Sequence, residues 1–386
     1  MPPKNSSGGV PQSFDFVVIG GGSAGYTAAA EAVKHGLRTA LIEGAAELGG
    51  LCILRGCMPS KTLIASANRF RAVSQAAELG VAVNPPRLQP RAVIARKRRL
   101  VEVFARARRE ELAHGGFEVI RGQARFLDAH RVSVTPPNGG PEIQVRASTA
   151  LIATGSYIPK PKFPGLIEAG YLTSDDILED KSPPASVIIL GDGPVGLEAA
   201  HYYSAIGRQV ILISKHARIL DSADPDISES LARALKNAGV KIISHAEVES
   251  AGKTGASKAV KLRVKGRSKT VRAKEIVFAI GRKPRTDGLG LEQIGVDLTD
   301  SRHIDANEQQ RTSKPHIFAA GDVCGPYEIL HLAVHQGGVG SPQRRPASKE
   351  TEKWDRDHGL PDEAVRRIYS SGSGDSWPDR NEGAGR

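Results

Sequence analysis

Two cysteines with four residues between them, Cys52 and Cys57, stand in the run Gly49-Gly50-Leu51-Cys52-Ile53-Leu54-Arg55-Gly56-Cys57-Met58-Pro59-Ser60-Lys61. Thiols at this spacing can close and reopen a disulfide, and a disulfide carries an electron pair. The 386 residues hold only three cysteines, so two of them in one short run read as catalytic rather than scaffold thiols. Zinc binding would call for a second ligand pair or a nearby histidine, and the sequence supplies neither. Just upstream, Gly20-Gly21-Gly22-Ser23-Ala24-Gly25 has the glycine spacing of a dinucleotide fingerprint. Gly20 permits the tight turn, Gly22 lets the backbone approach a pyrophosphate, and Gly25 allows close packing of helix on strand. Glu43 is placed to accept hydrogen bonds from ribose hydroxyls. The pattern recurs as Gly191-Asp192-Gly193-Pro194-Val195-Gly196, with Gly191, Gly193 and Gly196 in the same three roles. Two such sites imply two dinucleotides and electron transfer between them.

These residues need particular elements to position them. Phe14-Asp15-Phe16-Val17-Val18-Ile19 reads as a buried strand running into the glycines, residues 28–33 as the helix that follows, and Thr39-Ala40-Leu41-Ile42 as a second strand ending at Glu43. That is a βαβ unit of roughly 30 residues, the context that makes a glycine pattern specific. Val187-Ile188-Ile189-Leu190 and Val210-Ile211-Leu212-Ile213 bracket the second unit in the same way. Leu151-Ile152-Ala153-Thr154-Gly155 and Val277-Phe278-Ala279-Ile280-Gly281-Arg282 are apolar strands ending in glycine, where the chain crosses between domains. Residues 246–280 alternate basic and aliphatic side chains, as an antiparallel meander would. Residues 1–13 read as a disordered polar arm, and residues 341–386, whose larger aliphatics are Leu360, Val365 and Ile368, as a disordered tail.

The formal charge of +11 raises the question of nucleic acid. Much of the excess lies in Arg96-Lys97-Arg98-Arg99 and in Arg106, Arg108 and Arg109. Val93, Ile94, Leu100, Val101, Phe104 and Leu112 interleave with them at helical spacing, which predicts an amphipathic helix with the basic residues on its wet face. No nucleic-acid partner is expected, and cofactor phosphates already give the charge a use. No stretch approaches the roughly 18 apolar residues of a membrane span, and the start lacks a signal-peptide core, so a cytoplasmic location without membrane association is expected.

The cysteine run, with its Pro59-Ser60-Lys61 continuation and the two fingerprints, resembles the pyridine nucleotide–disulfide oxidoreductases, the flavoprotein family of dihydrolipoyl dehydrogenase, glutathione reductase and mercuric reductase. The resemblance covers roughly residues 14–340. It implies an α/β fold of two Rossmann-like domains, one for FAD and one for NAD(P), the second inserted into the first. The expected boundaries are 14–156 for the first part of the FAD domain, 157–282 for the NAD(P) domain and 283–340 for the return. Thr312-Ser313-Lys314-Pro315-His316-Ile317-Phe318-Ala319-Ala320-Gly321-Asp322 resembles the second flavin motif, which makes Gly321 and Asp322 cofactor residues beside Gly20, Gly22, Gly25, Glu43, Thr154 and Gly155.

By the same resemblance Cys52 is the interchange thiol that meets the substrate, and Cys57 the charge-transfer thiol against the flavin ring. Lys61 matches the lysine near the flavin N5 and Glu198 its carboxylate partner, where an ammonium would stabilise charge on reduced flavin. The second fingerprint would take the nicotinamide cofactor, with Gly281 at its edge. Its strand ends Ile213-Ser214-Lys215-His216-Ala217-Arg218, so Ser214, Lys215 and Arg218 predict NADPH, while Asp221 keeps NADH open. Cys324, His331 and His335 are expected to be ordinary structural residues. The family's His–Glu base comes from an interface domain that has no counterpart in residues 341–386. His358 and Glu363 have the spacing of that pair without a domain to present them. The expectation is therefore an oxidoreductase passing electrons from NAD(P)H through FAD to a disulfide-type or metal-ion acceptor, monomeric or weakly associated. The alternative is a truncated nucleotide-binding remnant with at most diaphorase or oxidase activity.

Overall fold

Residues 12–342 are described by a computed structural model, and they fall into two units. The first holds residues 12–46, 112–154 and 286–342, and the second holds 47–111 and 155–285. The helical stretch 47–111, expected within the first nucleotide-binding domain, packs as part of the second unit. His358, Glu363 and the expected tail beyond residue 342 lie outside the described residues.

In the first unit the strands are β1 (Gln12–Ile19), β2 (Thr39–Glu43), β3 (Glu118–Arg121), β4 (Gln123–Asp128), β5 (Arg131–Thr135) and β6 (Ile143–Ile152). Strand β1 therefore starts at Gln12, inside the stretch expected to be a disordered arm. The sheet order is β3-β2-β1-β6-β5-β4, with the strand Ile317–Ala319 also paired to β6. Pairing is parallel from β3 through β2 and β1 to β6 and Ile317–Ala319, and antiparallel from β6 to β5 and β4. Parallel strands are covered on both faces, which is why β1 and β2 read as near-continuous apolar runs. Helix α1 (Ser23–Lys34) links them, and its Ala28, Ala29 and Ala32 are fully buried. Phe14, Val17, Ile19, Ile42, Ile152 and Ile317 share one apolar core.

In the second unit the strands are β7 (Ser156–Tyr157), β8 (Ser186–Leu190), β9 (Gln209–Ile213), β10 (Lys241–Ile243), β11 (Ala246–Thr254), β12 (Ser257–Val264), β13 (Arg267–Ala273), β14 (Glu275–Phe278) and β15 (Lys283–Pro284). A parallel sheet runs β10-β9-β8-β14, β11-β12-β13 form the antiparallel meander that the alternation implied, and β7 pairs with β15. Helices α2 (Gly50–Leu54), α3 (Cys57–Ser74) and α4 (Pro90–His114) belong to this unit except for the last turn of α4. Leu63 and Ala67 of α3 share a core with Leu197, Ala200 and Tyr203 of the fingerprint helix Pro194–Ala205.

Helix α4 corrects the expected division of its faces. Ile94, Lys97, Ala105 and Leu112 are buried, whereas Leu100 and Phe104 are 38% and 48% exposed. Positions 94, 97, 101, 105, 108 and 112 trace one stripe at the helical period, and Leu100 and Phe104 lie on the flank beside it. Lys97 is tolerated inside because it is ion-paired to Glu179, whose other oxygen takes Arg98 at 2.6 Å.

Candidate functional site

The first fingerprint lies where β1, β6 and the strand Ile317–Ala319 end side by side. Ala153 N–H donates to Ile19 O at 2.8 Å, and Ala320 N–H to Ile152 O at 3.0 Å. Gly20 adopts φ +107°, and a Cβ there would stand 2.3 Å from Ala153 O. A Cβ on Gly25 would stand 1.8 Å from Gly20 O, so the helix approaches the strand as closely as only glycine permits. At Gly22 a Cβ would meet nothing within 4 Å, and this residue caps α1 without a side-chain hydrogen bond. Open backbone at the mouth of an uncapped helix suits a pyrophosphate, so these residues fit a dinucleotide. Glu43 accepts Gly21 N–H at 2.8 Å and Ala45 N–H at 2.7 Å, which fixes its carboxylate beside the glycine turn.

The Gly-Asp motif joins this cluster. Gly321 has φ +80°, and a Cβ on it would lie 3.4 Å from that of Ala24 in α1. Its N–H donates to Gln336 Oε1 at 2.9 Å, so the buried Gln336 ties the helix Leu330–Val339 to the motif. Asp322 follows directly, and Thr154 follows Ala153 at the end of β6. Sequence reasoning missed Gln336, since a glutamine in an apolar helix announces no partner. His331 and His335 lie on the same helix. Cys324 donates from Sγ to Gly321 O at 3.2 Å, and burial pushes its thiol up to about 11.

The second fingerprint repeats the geometry of the first. Gly191 has φ +108° with a Cβ position 2.3 Å from Ala279 O, a Cβ on Gly196 would lie 2.1 Å from Gly191 O, and Gly193 faces open space. The backbone at Gly155 and Gly281 is also left-handed, and Arg285 N–H donates to Gly155 O at 2.8 Å. Beyond β9, Lys215 and Arg218 are exposed, and Arg218 comes within 3.9 Å of Asp221. Ser214 corrects the expectation that it meets a 2′-phosphate. It is fully buried, and its hydroxyl donates to Asp192 Oδ2 at 2.7 Å. Just past the end of β9, its backbone N–H donates to Ile243 O and its carbonyl accepts Ala246 N–H, both at 2.9 Å, which holds it inside.

The thiols sit on consecutive helices of the second unit, Cys52 within α2 and Cys57 opening α3. Both are free thiols. Burial, followed by the hydrogen bond and charge of Cys57, pushes the Cys52 thiol up to about 12 against the opposing pull of the Cys57 N–H and Lys61. Lys61 lies one turn beyond Cys57 and is ion-paired to Glu198 on the fingerprint helix. The fold thus joins two residues 137 positions apart that were expected to pair. Further along the same two helices His201 Nε2 lies 2.6 Å from Asn68 Oδ1, and Arg71 Nη2 lies 3.3 Å from His201 Nδ1. Burial and Arg71 hold the His201 imidazole below its ordinary range, against Glu198. The sequence carried no signal for this cluster, because its members come from separate segments with no shared motif. No group of metal-ligating side chains occurs among the described residues.

Comparison with known proteins places this geometry. The chain is 31% identical over 328 residues to a mercuric reductase of Lysinibacillus sphaericus, covering 85% of this chain and 59% of that one. It is 34% identical over 336 residues to a dihydrolipoyl dehydrogenase of Bacillus subtilis, covering 84% and 70%. A mercuric reductase of Bacillus cereus is matched over only 51% of its length, so the chain spans little more than half of these mercuric reductases. Among solved structures, the Cu(II) complex of the HOCl-induced flavoprotein disulfide reductase RclA from Escherichia coli superposes with a TM-score of 0.74 at 28% identity, covering 84% of this chain and 69% of that one. With residues 14–337 matching the family described as pyridine nucleotide-disulphide oxidoreductase, the chain belongs to that family.

Proposed function

We propose that this protein is a flavoprotein oxidoreductase that moves electron pairs from a reduced nicotinamide nucleotide to a small-molecule disulfide or metal-ion acceptor through Cys52 and Cys57. The observation that carries the reading is the pair of free thiols on the consecutive helices α2 and α3, with the Lys61–Glu198 ion pair one helical turn beyond Cys57. When bound, FAD supplies hydride acceptance from the nicotinamide and two-electron delivery to a disulfide. Gly20, Gly22, Gly25, Glu43, Thr154, Gly321 and Asp322 would hold it. Gly191, Gly193 and Gly196, with Gly281, would hold the nicotinamide nucleotide. Lys215 and Arg218 favour NADPH over NADH, since both are exposed just past the strand end where a 2′-phosphate would lie.

The thiol chemistry balances within the chain. A Cys52–Cys57 disulfide takes up two electrons and two protons to give the dithiol. Toward a disulfide acceptor, Cys52 loses its proton and attacks one sulfur, releasing the first acceptor thiol. Cys57 then displaces the second and restores the internal disulfide. Burial of Cys52 means that its proton must be drawn off before attack, which is the work of a general base. Lys61, oriented by Glu198, places positive charge on the Cys57 side of the pair.

Anaerobic reductive titration tests this reading. The wild-type protein should consume about two two-electron equivalents per flavin, one for FAD and one for the disulfide, and Cys57→Ser about one. Equal capacity in the two proteins would remove the disulfide from the electron path.

A further inference from the structure

The two fingerprints fasten their strand ends by the same link with its ends exchanged. In the first, Ile19 is in register with Ile42, and Gly20 N–H donates to Ile42 O at 2.8 Å. The next residues along, Gly21 and Glu43, meet through the Gly21 N–H bond to Glu43 Oε2. In the second, Leu190 is in register with Ile213, and Gly191 N–H donates to Ile213 O at 3.2 Å. The corresponding next residues are Asp192 and Ser214, and here the hydroxyl of Ser214 donates to Asp192 Oδ2 at 2.7 Å. Both pairs are 22 positions apart in the chain.

Space explains the exchange. A Cβ on Gly21 would stand 2.9 Å from Glu43 Oε2, so a side chain at this loop position points at the strand-end side chain. Where the strand end carries glutamate the loop must be glycine. Where the strand end shrinks to serine, the loop has room for a carboxylate. Both mouths therefore contain a carboxylate, supplied from opposite sides of one gap. Ser214 is fully buried, and its oxygen also receives His216 N–H at 3.1 Å, so it anchors rather than meets a ligand. Asp192 stays partly exposed beside Gly193, where a Cβ would meet nothing within 4 Å, so its carboxylate borders the open cradle.

We infer that Asp192 receives the adenosine ribose hydroxyls of the nicotinamide nucleotide in place of a strand-end acid, and that its charge works against a 2′-phosphate. The inference rests on the reading of the second fingerprint as the nicotinamide-nucleotide site. A free ribose diol donates two O–H groups to a carboxylate. A 2′-phosphate removes one donor and sets negative charge against Asp192, while Lys215 and Arg218 attract it. The balance between the two nucleotides is therefore a contest between Asp192 and those cations.

The test is calorimetric binding of NAD⁺ and NADP⁺, which differ only in the 2′-phosphate, to the FAD-loaded protein. Asp192→Asn keeps the size of the side chain and an oxygen for Ser214 but removes the charge. The ratio of NADP⁺ to NAD⁺ affinity should rise about tenfold. Asp192→Gly, which copies the residue at Gly21, should raise it at least as far and serves if the amide variant folds poorly. Both nucleotides binding with an unchanged ratio in a folded, flavin-loaded variant would overturn the role of Asp192 and leave the oxidoreductase reading intact. Binding of neither nucleotide to the wild-type protein would overturn that reading together with the inference.

Discussion

Among single residues, Cys52 sets the pH range in which the thiol pair can act. Its thiol is raised from an ordinary value of 9.0 to about 12, chiefly by burial. Between those values the folded, reduced protein keeps a proton that the unfolded chain has released. The stabilising contribution is therefore fully present below about pH 9 and is lost as pH rises through about 12. The same shift predicts reactivity. In the reduced protein, alkylation of Cys52 by iodoacetamide, followed by peptide mass spectrometry, should be slow at pH 7 and still climbing at pH 10, where a free thiol has levelled off. A profile that levels near pH 9 would mean that burial does not govern this thiol. The sequence could place Cys52 beside Cys57 but could not foretell its burial, which is a property of α2 and α3 together.

At the scale of elements, close helix packing holds the first cradle. A Cβ on Gly337 would stand 2.3 Å from Ala24 O and 3.0 Å from the Ala24 Cα, all backbone atoms of α1 that have no rotamer to yield. Gly337→Ala must push the helix Leu330–Val339 away from α1 and so disturb the Gln336–Gly321 hydrogen bond as well. A loss of about 1–3 kcal/mol in unfolding free energy is expected, with weaker FAD retention. Gly338 is the internal control, because a Cβ there would meet nothing within 4 Å. Gly338→Ala should be neutral, or more stable by about 0.5–1 kcal/mol through helix propensity. Urea midpoints and flavin release on gel filtration measure both. Equal behaviour of the two variants would show that the helix contact does not govern the cradle. The α4 stripe makes a related point: Lys97 lies inside because Glu179 meets it there, and a hydrophobicity pattern alone assigns a lysine to water.

For the molecule as a whole, His316 of the first unit should contribute strongly to acid sensitivity. His316 is buried, stacks on His130 at 4.2 Å, and bonds Ala129 O through Nε2 at 3.0 Å, leaving Nδ1 without a partner among the described residues. Burial, with His130 adding to it, lowers the imidazole from 6.5 to about 4. Above about pH 6.5 both folded and unfolded chains hold it neutral, so its contribution is complete. As pH falls from 6.5 toward 4 the unfolded chain gains a proton that the folded one refuses, and stability drops by up to about 3 kcal/mol. Urea unfolding of the wild type should steepen in its pH dependence over this window, and His316→Gln should flatten it. Identical slopes would assign the acid response to other groups.

Much of this architecture was legible from local signals. A glycine fingerprint after an apolar strand, a meander of alternating charge and the Cys52–Cys57 run each declare themselves within a few residues, because turn sterics and strand periodicity act over that range. The Lys61–Glu198 pair was legible only through family resemblance, since 137 positions separate its members. Tertiary structure alone decided what depended on packing. It turned Ser214 inward onto Asp192, moved Lys97 into a core, set Gln336 under Gly321 and gathered His201 with Asn68 and Arg71. In each case a polar side chain found its partner across elements that carry no mutual sequence signal. Burial compels such groups to pair, but only the fold determines with whom.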